Sequence, residues 1–198
     1  GITDLDFQRG STIAKKYDVE FHKEQNKLIS LCDGVIIVTP TSSHYQIALD
    51  VLKAGKHIFI EKPITSTIEQ ANELIQIAHE KNLMIQVGHI ERFNPALTAF
   101  TKKKTMIKPE FIETHRLAPF NVRGTDTDVV LDLMIHDIDL LLCLNPFPVV
   151  SVSASGSTIL TQSLDMVSAR IELKNNFSAN LTASRISLKQ MRQMRIFE

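Results

Sequence analysis

Cysteine is scarce in this chain, with only Cys32 and Cys143 among 198 residues. Two thiols, one at the approach to an apolar strand and one in a leucine-rich helix, make no disulfide framework. Their spacing matches no zinc site. Buried, reduced thiols and a cytoplasmic setting are the expectation. An excess of either charge is also missing, since 22 Lys and Arg balance 22 Asp and Glu. That removes the electrostatic footprint of a nucleic-acid binder. No apolar run approaches the roughly 20 residues that span a bilayer, and no basic segment leads into an apolar stretch at the start. A soluble protein with no membrane partner is therefore expected.

What the chain does have is alternation. Residues 33–39 form a continuous apolar run ending at Pro40, and 43–54 follow with helical spacing of Ile47, Ala48, Val51 and Leu52, stopped by Gly55. A strand over 57–60, a helix over 67–81 and a strand over 83–87 come next, with Thr67 and Gln70 in capping-box spacing. Repeated strand–helix–strand units predict a parallel sheet with right-handed crossovers. The fold class is α/β, a Rossmann-type doubly wound sheet. Its beginning is missing: residues 1–4 look like the end of a strand and 11–17 like a helix, yet no Gly-x-Gly-x-x-Gly turn precedes them. The domain over 1–95 is thus expected to be truncated, lacking its first strand.

Beyond Phe100 the texture changes. A short basic run, Lys102-Lys103-Lys104, reads as a solvated helix end. A strand over 110–117, a polar loop through Asn121 and Gly124 and a strongly apolar helix over about 128–144 follow. Strands are expected over 149–155, 166–173, 178–184 and 193–197, with Lys174-Asn175-Asn176 as a hairpin turn. Short turns between successive strands predict a mostly antiparallel sheet, so 96–198 is read as a second, α+β domain. Alternation over 169–173 and 180–184 gives one apolar and one polar face, and an exposed face of this kind is covered either by a second copy of the chain, a homo-oligomer, or by helices.

Three positions carry the chemistry. Lys62, in Glu61-Lys62-Pro63, stands at the carboxyl end of the 57–60 strand, where ligands of open parallel sheets bind, and the proline holds it at the strand tip. Asp132 and His136 are four apart in the apolar helix and share one face. A histidine one turn from a carboxylate is the makeup of a general base. It is equally the makeup of a structural ion pair, and a metal site ranks below both because no further ligand stands out. Asp4 ends the strand remnant, where an acid accepts from adenosine ribose hydroxyls and repels a 2′-phosphate, favouring NAD over NADP. It is otherwise a helix-entry residue, a role Asp6 could also take.

With these residues in place, the chain resembles the Gfo/Idh/MocA family of NAD(P)-dependent sugar and polyol oxidoreductases. The match is carried, in the family's order, by residues 39–44 (Thr39-Pro40 to His44), 54–63, 86–89 and 132–136. Residues 88–95 and 131–139 look like the branch acting on nucleotide-linked N-acetylhexosamines, which serves lipid A and surface polysaccharide synthesis.

The resemblance implies hydride transfer between NAD, with NADP left open, and a secondary alcohol of a sugar, C3 of a UDP-N-acetylhexosamine. It makes Lys62, Asp132 and His136 catalytic, and sets Thr39, Pro40, His44, Glu61, Lys62 and Arg92 along the cofactor. Asn94, Asp132 and His136 would meet the substrate. Arg116 and Arg123 are candidates for its diphosphate, or else solvated loop arginines. Without the Gly-rich turn, this chain alone is expected to hold NAD poorly. Two alternatives stay open: an inositol or simple-sugar dehydrogenase, and a non-catalytic NAD-binding sensor.

Overall fold

Asp6 starts the first helix, α1 (Phe7–Lys16), by accepting from the Arg9 amide at 3.0 Å, which is why it begins ahead of the predicted 11–17. A second helix, α2 (Gln25–Ser30), was not expected, and its six residues have no side-chain cap at the N-terminus. Ile2 bridges Phe21 in parallel, the one pairing of the strand remnant. The computed structural model describes residues 1–102, 109–122, 127–145, 147–174 and 176–197.

β1 (Gly34–Ile37), β2 (His57–Ile60) and β3 (Ile85–Val87) lie in that order in one sheet, both pairs parallel. The connections are α3 (Thr41–Lys53) and α4 (Ile68–Glu80). Val51 and Leu52 of α3 and Leu74 of α4 are wholly buried against Ile37, Ile58 and Ile60. Each such side chain contributes about 1.5–3 kcal/mol of burial free energy. Thr67 caps α4 as its spacing predicts, accepting from the Gln70 amide. Gly55 takes a positive φ of 76°, a left-handed turn that suits glycine at a helix end.

The chain divides into two compact units, Gly1–Gly88 and His89–Glu198. The division falls before the expected residue 96 because the 3₁₀ turn Ile90–Phe93 bonds forward: Arg92 pairs with Asp139 and Glu91 with Arg116. After it come α5 (Pro95–Lys102), β4 (Phe111–Leu117), a π-helical stretch Val130–Met134 and α6 (Ile135–Leu144). The remaining strands are β5 (Val149–Ser157), β6 (Met166–Leu173), β7 (Ser178–Ser184) and β8 (Met191–Phe197). The sheet order is β5-β6-β7-β4-β8, antiparallel except for the parallel pair β4 and β7.

Period-two alternation sends Val167, Ala169, Ile171 and Leu173 of β6 and Ala179, Leu181 and Ala183 of β7 to one face, in one core with Val129, Met134 and Leu141. The 174–176 connection contains Asn176 at φ 61°, and the Leu173 amide donates to the Phe177 carbonyl at 2.9 Å. Asn175, Lys103, Lys104, Arg123 and Gly124 lie outside the described residues. Among those described, no helix is long and apolar enough to cross a membrane.

A buried charge holds the entrance to the π-helical stretch. Asp165, fully buried, accepts from the amides of Ile159, Leu160 and Thr161 at 2.6–2.9 Å and from the Thr161 hydroxyl. Beside it, Arg185 donates to the carbonyls of Thr127 and Leu164. Burial works to raise the Asp165 pKa, but the donated hydrogen bonds outweigh it and hold the carboxyl well below its ordinary value.

A depressed folded pKa stabilises the fold above the unfolded value of about 3.9 and loses that contribution as pH falls through the folded one. Asp165→Asn should therefore be less stable than wild type near neutrality, and the gap should begin to narrow below about pH 4 and shrink steadily with further acid. Denaturation midpoints of both proteins across pH 2–7 check this. A gap that is constant with pH would remove the charge from the account.

Candidate active site

In the first unit the three strand ends converge. The Glu61 amide donates to the Ile37 carbonyl at 3.0 Å and the Gly88 amide to the Ile60 carbonyl at 2.8 Å, so the turn after β2 sits between the ends of β1 and β3. The Lys62–Pro63 peptide bond is cis. Glu61 folds over Gly88, where a Cβ would stand 3.2 Å from its carboxyl group, so glycine leaves room for that side chain. Its Oε2 accepts from the Lys62 amide at 3.3 Å. Thr39 and Pro40, both exposed, form the entry to α3, with the Ser43 hydroxyl donating to Thr39 Oγ1.

His44 of α3 is almost fully buried, with Nδ1 2.8 Å from the Pro63 carbonyl and Nε2 2.9 Å from the Thr39 carbonyl. The ring lies between these two carbonyls and so links the Lys62 turn to the end of β1. Asp4 takes a fork from Arg9, with Nε and Nη2 at 3.0 and 2.8 Å, and a further bond from the Asp6 amide. The Arg9 hydrogen bonds, then the Asp6 amide, hold its carboxyl below the ordinary range and keep it anionic. Parallel strand ends, the N-terminus of α3 and an ionised acid suit the pyrophosphate and ribose of a dinucleotide.

The second unit gathers charge on α6 and the 3₁₀ turn. Asp128 caps the helical run, its Oδ1 accepting from the amides of Val130 and Leu131 at 2.9 Å each. Asp132 then falls within the π-helical stretch and His136 at the start of α6, both half-buried. π-Helical insertions recur at functional sites, and the sequence pattern did not predict this one.

Two acids of the same helix, Asp137 and Asp139, are buried and each holds an arginine fork. Arg116 reaches Asp137 at 3.0 and 2.8 Å, and Arg92 reaches Asp139 at 2.8 and 2.5 Å. Glu91 accepts from Arg116 Nη1 at 3.5 Å and from Asn94 Nδ2 at 3.2 Å, and lies 3.6 Å from Arg192. Burial works to raise the Glu91 pKa; the Asn94 hydrogen bond and the charges of Arg116, His136 and Arg192 prevail and lower it.

This network bears on two expectations. Arg116 is not a solvated loop residue: it is buried in β4 with its guanidinium forked on Asp137. Asn94 spends its amide on the start of α5, accepting from the Ala96 amide and donating to Glu91. Arg92 stays half-exposed while forked on Asp139. Arg123, the other diphosphate candidate, is not among the described residues. Glu91, Asp137 and Asp139 were missed, although acids in so apolar a helix need buried partners and Arg92 and Arg116 were in view. Among the described residues no cluster of three or more His, Cys, Asp or Glu could hold a metal ion.

Residues 1–89 match the family model described as the oxidoreductase family with an NAD-binding Rossmann fold, and residues 113–197 match the GFO/IDH/MocA C-terminal domain. The chain belongs to the Gfo/Idh/MocA family of oxidoreductases. It is 40% identical to a UDP-N-acetylglucosamine 3-dehydrogenase of Acidithiobacillus ferrooxidans, over all of this chain and 63% of that protein. A crystal structure of that enzyme superposes with a TM-score of 0.92, again over the whole of this chain and 63% of the other. A scyllo-inositol 2-dehydrogenase of Bacillus subtilis is 28% identical over 78% of this chain and 49% of its own length. The chain thus spans less than two thirds of the relatives it matches.

Proposed function

We propose that the protein oxidises the C3 hydroxyl of a UDP-N-acetylhexosamine, reversibly, using NAD. The observation that carries this reading is 40% identity along the entire chain to a UDP-N-acetylglucosamine 3-dehydrogenase, against 28% over a smaller part to an inositol enzyme. Bound NAD, held along Asp4, Thr39, Pro40, Glu61 and the Lys62 turn, supplies the hydride acceptor. His136 takes the hydroxyl proton, with Asp132 biasing its charge, and Lys62 stabilises the developing alkoxide. Arg92, oriented by Asp139, borders the reacting region. The buried His44 clamp and the Asp128 cap fix the elements that present Lys62 and His136.

The product is a 3-keto sugar, which an amino-group transfer would consume on the way to lipid A or a surface polysaccharide. Two free cysteines suit a cytoplasmic enzyme. The polar face of the second sheet, with β5 exposed along its length, suits a homo-oligomer.

The test is NADH formation by the protein at its natural length with UDP-N-acetylglucosamine, free N-acetylglucosamine and scyllo-inositol. Turnover is expected with the UDP-sugar and not with the other two. Turnover with scyllo-inositol alone would move the protein to polyol oxidation, and none with any substrate would favour a sensor.

A further inference from the structure

A cavity of about 330 Å³ opens within the second unit, between the 3₁₀ turn, α5, α6 and β8. Glu91, Arg192 and Gln193 give it a polar side; Leu97, Phe100 and Met194 give it an apolar one. Its charges cancel, Glu91 and Asp137 against Arg116 and Arg192, so neither a free anion nor a free cation gains from entering. A neutral group with one donor, one acceptor and a small apolar end fits both sides. A secondary amide has that makeup.

The position favours such a group. Asp137 lines the cavity and directly follows His136 on α6, so the cavity neighbours the residue assigned to proton removal. Resting on the proposed oxidation at C3, we propose that this cavity takes the acylamino substituent on C2, one bond from the reacting carbon. Glu91 accepts the amide N–H, Arg192 donates to the carbonyl, and the methyl packs on Leu97, Phe100 and Met194. A C2 hydroxyl would leave the apolar side facing water and the polar groups poorly matched. Selection of an amide over a hydroxyl at C2 therefore belongs to these residues.

The experiment compares kcat/KM for UDP-N-acetylglucosamine and UDP-glucose in the protein at its natural length, in wild type, Glu91→Ala and Arg192→Ala. Wild type is expected to favour the acetamido sugar by about 10²-fold or more, as sites that hydrogen-bond a substituent do. Each variant is expected to cut that ratio by about tenfold, the loss of one such contact. Arg192 is exposed on the edge strand β8, so its variant decides the matter should Glu91→Ala fail to fold. An unchanged ratio in a folded variant that still oxidises UDP-N-acetylglucosamine overturns the cavity assignment alone. Wild-type protein that turns over neither sugar overturns the C3 oxidation reading, and the assignment with it.

Discussion

Lys62→Met and His136→Ala, made separately in the protein at its natural length, should each lower kcat by about 10²–10⁴-fold, the range for losing a positioned proton-transfer group. NAD affinity should stay largely intact in both. In the proposed mechanism both roles arise only as the reaction proceeds: the imidazole takes a proton, and the lysine meets a charge absent from the bound alcohol. Single-turnover NADH formation and NAD titration followed by fluorescence separate the two quantities. Near-normal turnover in both variants would discard the mechanism. Loss of NAD binding in Lys62→Met would instead make the turn after β2 a binding element.

Asp137→Ala should destabilise the fold by about 3 kcal/mol, the low end for breaking a buried pair, because it removes the forked partner of the Arg116 guanidinium and leaves only Glu91, 3.5 Å away. Both side chains are more than nine-tenths buried, so solvent offers little compensation. Burial alone would lower the Arg116 pKa; the Asp137 hydrogen bonds reverse this and raise it. Replacing the pair together, Arg116→Met with Asp137→Leu, should recover much of the loss, since an apolar pair carries no desolvation cost. Urea denaturation of wild type and the two variants measures both effects. A cost below about 1 kcal/mol for Asp137→Ala would place the pair in the class of exposed ion pairs.

The sheet of the first unit was legible because its strands are continuous β-branched runs punctuated by Pro40, Gly55 and Pro63. The capping of α4 was legible from Thr67 and Gln70 alone. The antiparallel strands of the second unit were readable from period two, but the parallel pairing of β4 with β7 was not, since it joins strands distant in sequence. Local pattern also hid α2, which lacks a side-chain cap, and the π-helical register around Asp132, whose apolar spacing reads as an ordinary helix.

Site residues followed the same division. Lys62 and Asp4 drew attention because they stand at the ends of strand-like runs, and their roles rest on the proposed mechanism. Asp137 and Asp139 were missed as partners of Arg116 and Arg92 because partnership between an arginine and a carboxylate many residues away is fixed by packing. His44 shows the same limit: its place in the sequence marked it as important, and only the carbonyls of Thr39 and Pro63 reveal that it positions the turn.

Transfer of hydrogen from C3 to the nicotinamide is the claim on which the account turns. UDP-N-acetylglucosamine carrying deuterium at C3, incubated with NAD and the protein at its natural length, should yield NADH one mass unit heavier. The label should appear at nicotinamide C4. Unlabelled NADH formed from that substrate, or label retained in the oxidised sugar, would contradict oxidation at C3.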